Sequence, residues 1–179
     1  MWRLTVAVAG VLALAGCGAG GAGRDARGPA STTASPGTPV QAVAAALSFA
    51  AHSDPEVAVV DGYASLPLAV QRGEQPIDLA GGHANPCAQP PGQRFTSAER
   101  AAIQAAFYGR TVSFVADPAV ALRERDPGSL LLVATRPLLG HQRGTVLVLS
   151  CVPDPQQVLV SVQWERHTWQ ATATGTGSS

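Results

Sequence analysis

The chain has no lysine: its 12 basic residues are all arginine, and 12 acidic residues balance them to a formal net charge of zero. No basic stripe stands out, which disfavours nucleic-acid binding through many phosphate contacts. Exclusive use of arginine, beside abundant alanine and glycine, is read as coding bias rather than a phosphate-reading device. Only 3 cysteines are present, and none forms a Cys-x-x-Cys. There is no Gly-x-Ser-x-Gly elbow, no P-loop and no His-Glu-x-x-His. The histidines, His52, His83, His141 and His167, never pair at the three- or four-residue spacing of a helical metal site. Nothing in the sequence calls for a cofactor or a metal, and no stretch names a reaction.

What is present begins at the first residues. After a short start carrying Arg3, Leu4 to Gly16 forms an uncharged apolar run of 13 residues. That is short of the roughly 20 needed to span a bilayer and within the usual length of a signal-peptide core. The run ends Leu14-Ala15-Gly16-Cys17. This ending resembles the lipobox of bacterial lipoproteins. The resemblance implies cleavage before Cys17, a diacylglyceryl group on its thiol, and attachment to the extracytoplasmic face of the cell membrane. Each buried methylene of such a lipid contributes about 0.8 kcal/mol. An ordinary secretory signal would account for the apolar core but would leave Cys17 without a role.

The expected organisation is a signal peptide over 1–16, lipidated Cys17 with a tether to 38, one domain over 39–174, and a flexible tail over 175–179. The tether is rich in Gly, Ala, Ser, Thr and Pro and buries too little to offset its ordering entropy. No later stretch of 18 apolar residues occurs, so the domain is expected to be soluble. In an exported chain the remaining pair, Cys87 and Cys151, is expected to form a disulfide. It would close a loop of about 65 residues and, on the chain-entropy model, contribute up to about 4 kcal/mol. A redox or metal-binding pair is the alternative.

Thr38-Pro39 opens a predicted helix whose apolar face is Val40, Val43, Ala44, Leu47 and Ala51. Val57 to Val60 reads as a short strand stopped by Asp61-Gly62. Arg72 to Gln93 is a long loop that needs a tie. Thr96-Ser97-Ala98-Glu99 is a capping-box pattern, opening a helix that ends near Gly109. Four strands follow: one alternating through Val112, Phe114 and Ala116; Leu130 to Thr135 and Thr145 to Val152, both apolar on two faces; and one alternating through Val158, Val160, Val162 and Trp164. The predicted fold is α+β, a helix packed on a four-stranded antiparallel meander, with an additional N-terminal helix. In element order it is similar to cystatin-type and nuclear-transport-factor-type rolls. From Ser97 to Ser178 the pattern, with its late Trp and WQATATGTGS ending, resembles small actinobacterial lipoproteins of unknown function. That resemblance brings no catalytic residues with it.

Two readings of function come from this. The first is a non-enzymatic binding or scaffold domain at the cell envelope. Its partners would be the membrane, through the lipid, and an envelope protein or a small apolar ligand. Trp164 and Trp169 are five apart in one predicted strand, so Trp169 falls on the wetter face, where it either covers the sheet edge or marks a partner contact. The second is a cell-envelope hydrolase in which His83 or His141 meets Asp117 or Asp154. His83 stands four residues before Cys87, a possible nucleophile pair, although the disulfide uses Cys87 more simply.

Overall fold

A computed structural model of the chain describes residues 37–75, 77, 85–124, 129–151 and 156–178, and for 175–178 the backbone alone. These belong to one compact unit, Ala34–Ser179. Cys17, the apolar leader and most of the tether lie outside the described residues. In chain order the elements are α1 (Pro39–Ala50), β1 (Glu56–Ala64), α2 (Leu68–Gln71), α3 (Ser97–Ala106), β2 (Thr111–Val115), α4 (Pro118–Glu124), β3 (Leu130–Thr135), β4 (Leu138–Leu139), β5 (Arg143–Ser150), β6 (Gln156–Glu165) and β7 (Thr168–Ser178). Among the described residues, no helix is long and apolar enough to cross a membrane.

Helix starts follow from local chemistry. Pro39 begins α1 where a missing N–H costs nothing, and the Thr38 N–H donates to the Gln41 side chain at 2.9 Å. At α3 the capping box closes in both directions: the Glu99 N–H donates to Thr96 Oγ1 at 3.2 Å and the Thr96 N–H to Glu99 Oε2 at 2.8 Å. Asp117 caps α4, its Oδ1 accepting from the Ala119 and Val120 amides.

The fold is α+β, with one mostly antiparallel sheet of seven strands in the order β2-β1-β3-β5-β6-β7, and β4 paired to β5. β1 runs parallel to both β2 and β3, and every other pairing is antiparallel. The strand expected to open an antiparallel meander, 112–116, is therefore a parallel edge strand. The antiparallel succession is instead β3, β5, β6 and β7. β7 pairs with β6 as far as Gln156↔Ser178, so the backbone over 175–178, read from sequence as a tail, continues the strand.

β1, β3 and β5 are buried on both faces, and the sheet separates two apolar clusters. On one side Val57, Val59, Leu132, Val146 and Val160 meet Val43 and Leu47 of α1 and Ile103 of α3. On the other side Ala58, Val60, Leu131, Val133 and Leu147 meet Val70 of α2, Ala121 of α4 and the two cysteines. Cys87 and Cys151 are joined there with Cα atoms 5.6 Å apart, tying the segment before α3 to the end of β5 across a sequence separation of 64.

Two local expectations are corrected. Asp61-Gly62 does not stop β1; the strand continues to Ala64 with a register shift between Val59 and Tyr63. A Cβ at Gly62 (φ +152°) would overlap the carbonyl oxygen of Gln93, whose chain comes close enough for the Tyr63 N–H to donate to that oxygen at 3.0 Å. Trp164 and Trp169 do not share a strand. Arg166 and His167, with φ of 48° and 69°, form a two-residue turn between β6 and β7. The tryptophans are thus cross-strand partners on one face, with ring centroids 5.5 Å apart. Trp169 is buried, at 8% exposure, rather than on the wetter face.

Replacing Cys87 and Cys151 together by serine should lower stability by up to about 4 kcal/mol and the melting temperature by roughly 10–15 °C. A thermal melt of the variant beside the oxidised parent measures this. An unchanged midpoint would mean that packing alone holds the segment before α3.

Candidate binding cleft

β1 and β3 are parallel neighbours, and their carboxyl ends reach the same sheet edge, where Tyr63 pairs with Ala134 and Ala64 with Thr135. The crossovers place α3 on one face and α4 on the other. β2 therefore lies on one side of β1 and β3 on the other, and the winding reverses between β1 and β3. In open sheets such a reversal leaves a crevice outside the strand ends. A cleft of 550 Å³ lies there. Its lining includes Tyr63, Arg136 and Pro137 at the strand ends, Pro39 and Val40 at the start of α1, and Leu139 of β4, with Gln93 and Glu99 alongside.

The polar groups of the cleft divide into satisfied and available ones. The Tyr63 hydroxyl donates to Glu99 Oε1 at 3.0 Å, while Glu99 Oε2 accepts from the Thr96 amide and hydroxyl at 2.8 and 2.9 Å. Burial of Tyr63, reinforced by that hydrogen bond and by the Glu99 charge, pushes its pKa well above the usual phenol range, with Arg136 opposing. Desolvation works to raise the Glu99 pKa. The Thr96 bonds, the Tyr63 bond and the Arg136 charge outweigh it and hold the carboxyl below its ordinary value. Tyr63 is therefore a fixed neutral donor, and Glu99 a carboxylate whose two oxygens are both engaged.

Arg136 differs from both. Its guanidinium lies 5.4 Å from the centroid of the Tyr63 ring, a cation–π contact. Among the described residues it makes no hydrogen bond or ion pair. Pro137 follows it, restricting its backbone to extended conformations. Beneath the cleft, Tyr63 packs edge-on against Phe95 at 4.9 Å, and Phe95 in turn against Phe114 at 6.3 Å. Two residues back along β1, Asp61 is 4% exposed and accepts two hydrogen bonds from Arg100, 2.8 Å from Nε and 2.6 Å from Nη2. This fork-to-carboxylate pair compensates a buried charge within the strand that carries Tyr63.

The residues singled out by sequence do not build this cleft. Cys87 and Cys151 form the disulfide on the opposite face of the sheet. Trp169 belongs to a separate groove between α1, α3 and β7. Cys17, His83 and Asp154 lie outside the described residues. His141 is exposed, and Asp117 is engaged as a helix cap, so these two do not meet. Among the described residues no group of three or more His, Cys, Asp or Glu is placed to hold a metal. A larger depression of 630 Å³ lies along β5, β6 and β7 and is lined by Ser161, Gln163, Gln170 and Thr172 among others. It is a wet sheet face of the kind that one-sided strands present to solvent. In comparison with known proteins, the chain matches no family model, no curated protein and no solved structure.

Sequence reasoning missed Tyr63, Gln93 and Arg136. Glu99 was visible only as a capping residue. The available signal was Arg136-Pro137 immediately after a strand buried on both faces, a basic residue at the carboxyl end of a central strand.

Two outcomes are expected. Arg100→Ala leaves Asp61 buried without its donors and should cost about 2–4 kcal/mol in denaturant unfolding, at or below the fully buried range because Arg100 itself is partly exposed. A smaller loss would mean that water reaches Asp61. Glu99 has a folded pKa below its unfolded one, so its contribution is present above the ordinary value of 4.5 and is lost as pH falls through the folded pKa. Melting temperature should therefore drop below about pH 4.5, and Glu99→Gln should flatten that drop. An acid limb identical in the variant would remove Glu99 from the account.

Proposed function

We propose that the chain is an exported lipoprotein, anchored through Cys17 to the extracytoplasmic face of the cell membrane. In this reading its domain is a non-enzymatic binding module, and its ligand sits in the cleft at the carboxyl ends of β1 and β3. The β3, β5, β6 and β7 succession, crossed by α1, serves as a roll-like scaffold, and the parallel β1–β3 pair opens the site at its end. The observation that carries the proposal is Arg136: a guanidinium whose donors are unengaged among the described residues, held against the Tyr63 ring and bordered by Pro39, Val40, Pro137 and Leu139. A volume of 550 Å³ falls within the range of small-molecule sites.

The chemistry selects a small ligand with an apolar body and one anionic group. The guanidinium binds a carboxylate or phosphate through two parallel hydrogen bonds. The prolines, Val40 and Leu139 cover the apolar part. Glu99 makes no hydrogen bond to Arg136, its oxygens being engaged by Thr96 and Tyr63, and acts on the guanidinium through its charge alone. A tether between Cys17 and Thr38 would deliver the domain close to the membrane, with the cleft beside its entry point at Thr38 and Pro39.

Two experiments test the parts separately. Cys17→Ala should move the protein from the membrane fraction to the soluble one, and retention in membranes would contradict lipid anchoring. Hexanoate, a carboxylate on a short apolar chain, should raise the melting temperature of the parent in a saturable way, and Arg136→Gln should weaken its binding at least tenfold, about 1.4 kcal/mol. A response of equal size in the variant would place the ligand elsewhere.

A further inference from the structure

β7 is the last strand of the sheet. β6 pairs with one of its edges, and among the described residues no strand pairs with the other. Such an edge presents a row of unmatched N–H and C=O groups, which proteins usually guard with charge, proline or a bulge. The 11 residues of β7 read TWQATATGTGS, without a charge or a proline. The register shift between Leu159 and Val160 leaves Thr174 as an extra residue, so the longer of the two unbroken stretches of pairing runs from Thr168 to Ala173. The opposite edge of the sheet, β2, is only 5 residues long, which is itself a guard.

A groove of 370 Å³ lies beside that same stretch of β7. It is bounded by Ala44, Ala45 and Phe49 of α1, Ala102 and Ala106 of α3, and Trp169, and none of its lining residues is charged. Trp169 is 8% exposed, and its indole N–H, itself buried, finds no acceptor among the described residues. A buried donor without a partner is costly.

We propose that the Thr168–Ala173 edge accepts an uncharged, extended peptide segment of a partner protein as an added strand, with alternate small apolar side chains entering the groove beside Trp169. Only an extended chain matches the spacing of the open main-chain groups, and in a strand every second side chain faces the same way. A charged side chain would be stripped of water there with no counter-charge in the lining. This surface is separate from the Arg136 cleft and does not depend on it.

The test uses the full chain and two capped heptapeptides of alternating valine and threonine. One is N-methylated on alternate residues, so that it cannot self-associate yet keeps one edge able to pair; the other is N-methylated throughout. The first should change tryptophan fluorescence saturably and slow amide exchange over Thr168–Ala173, with binding at least tenfold tighter than the second. Ala102→Phe, which fills the groove from α3, should weaken the first peptide at least tenfold while β7 keeps its pairing with β6 by exchange. Equal binding of both peptides would mean adsorption without strand addition and would overturn the proposal, as would no response to either. Edge amides already protected in the chain alone would also overturn it. Protection that fades on dilution would assign the edge to a second copy, and protection that persists would assign it to residues 1–36.

Discussion

Burial of β1, β3 and β5 on both faces is the constraint to which the rest of the domain answers. A strand wetted on one side needs a single covering layer, but Val57 to Val60, Leu130 to Ala134 and Val146 to Leu149 need two. α1 and α3 cover one face. The other is covered by short pieces, α2 and α4, and by the segment that Cys87 fastens to the end of β5. The disulfide thereby fastens part of the covering on the side where the helices are short. The two crossovers that carry the covering helices run on opposite faces. The consequence is a cleft: β1 and β3 lie parallel with a reversal between them, and it opens where they end.

The chemistry at that end depends on a run of three consecutive residues. Asp61 places a carboxylate inside the sheet, and the Arg100 fork holds it. Gly62 lets the chain at Gln93 approach. Tyr63 then turns its ring to the face of α3, where its hydroxyl meets Glu99 and its π-face meets Arg136. Glu99 closes the capping box of α3 and fixes the Tyr63 hydroxyl with the same carboxylate. Its helix start and the cleft wall are therefore one structure, and the Arg136 guanidinium is left without a hydrogen bond among the described residues.

Much of the secondary structure was legible because its signals are local. The capping box at Thr96 and Glu99, proline after Thr38, and the two-faced apolar runs at 130–135 and 145–150 each act within a few residues. Strand direction was not legible, since period-2 alternation is the same in parallel and antiparallel pairs. β1 read as ending at Asp61-Gly62 because the arginine that neutralises Asp61 stands 39 residues away. The β6–β7 turn was hidden by Arg166-His167, which lack the asparagine or glycine usual at positive φ; missing it reversed the face assigned to Trp169. α4 carried a readable start in Asp117-Pro118 that was passed over. The cleft itself has no linear motif: Tyr63, Glu99 and Arg136 meet only through the sheet.

Ligand binding in the cleft is the central claim. Nuclear magnetic resonance mapping of the full chain during titration with hexanoate addresses this directly, since it reports every backbone amide and methyl group at once. Shifts that saturate together and centre on Val40, Tyr63, Arg136 and Leu139 are the expected result. Saturating shifts centred instead on the β5–β7 face or the Trp169 groove, with the cleft residues unmoved, would contradict it.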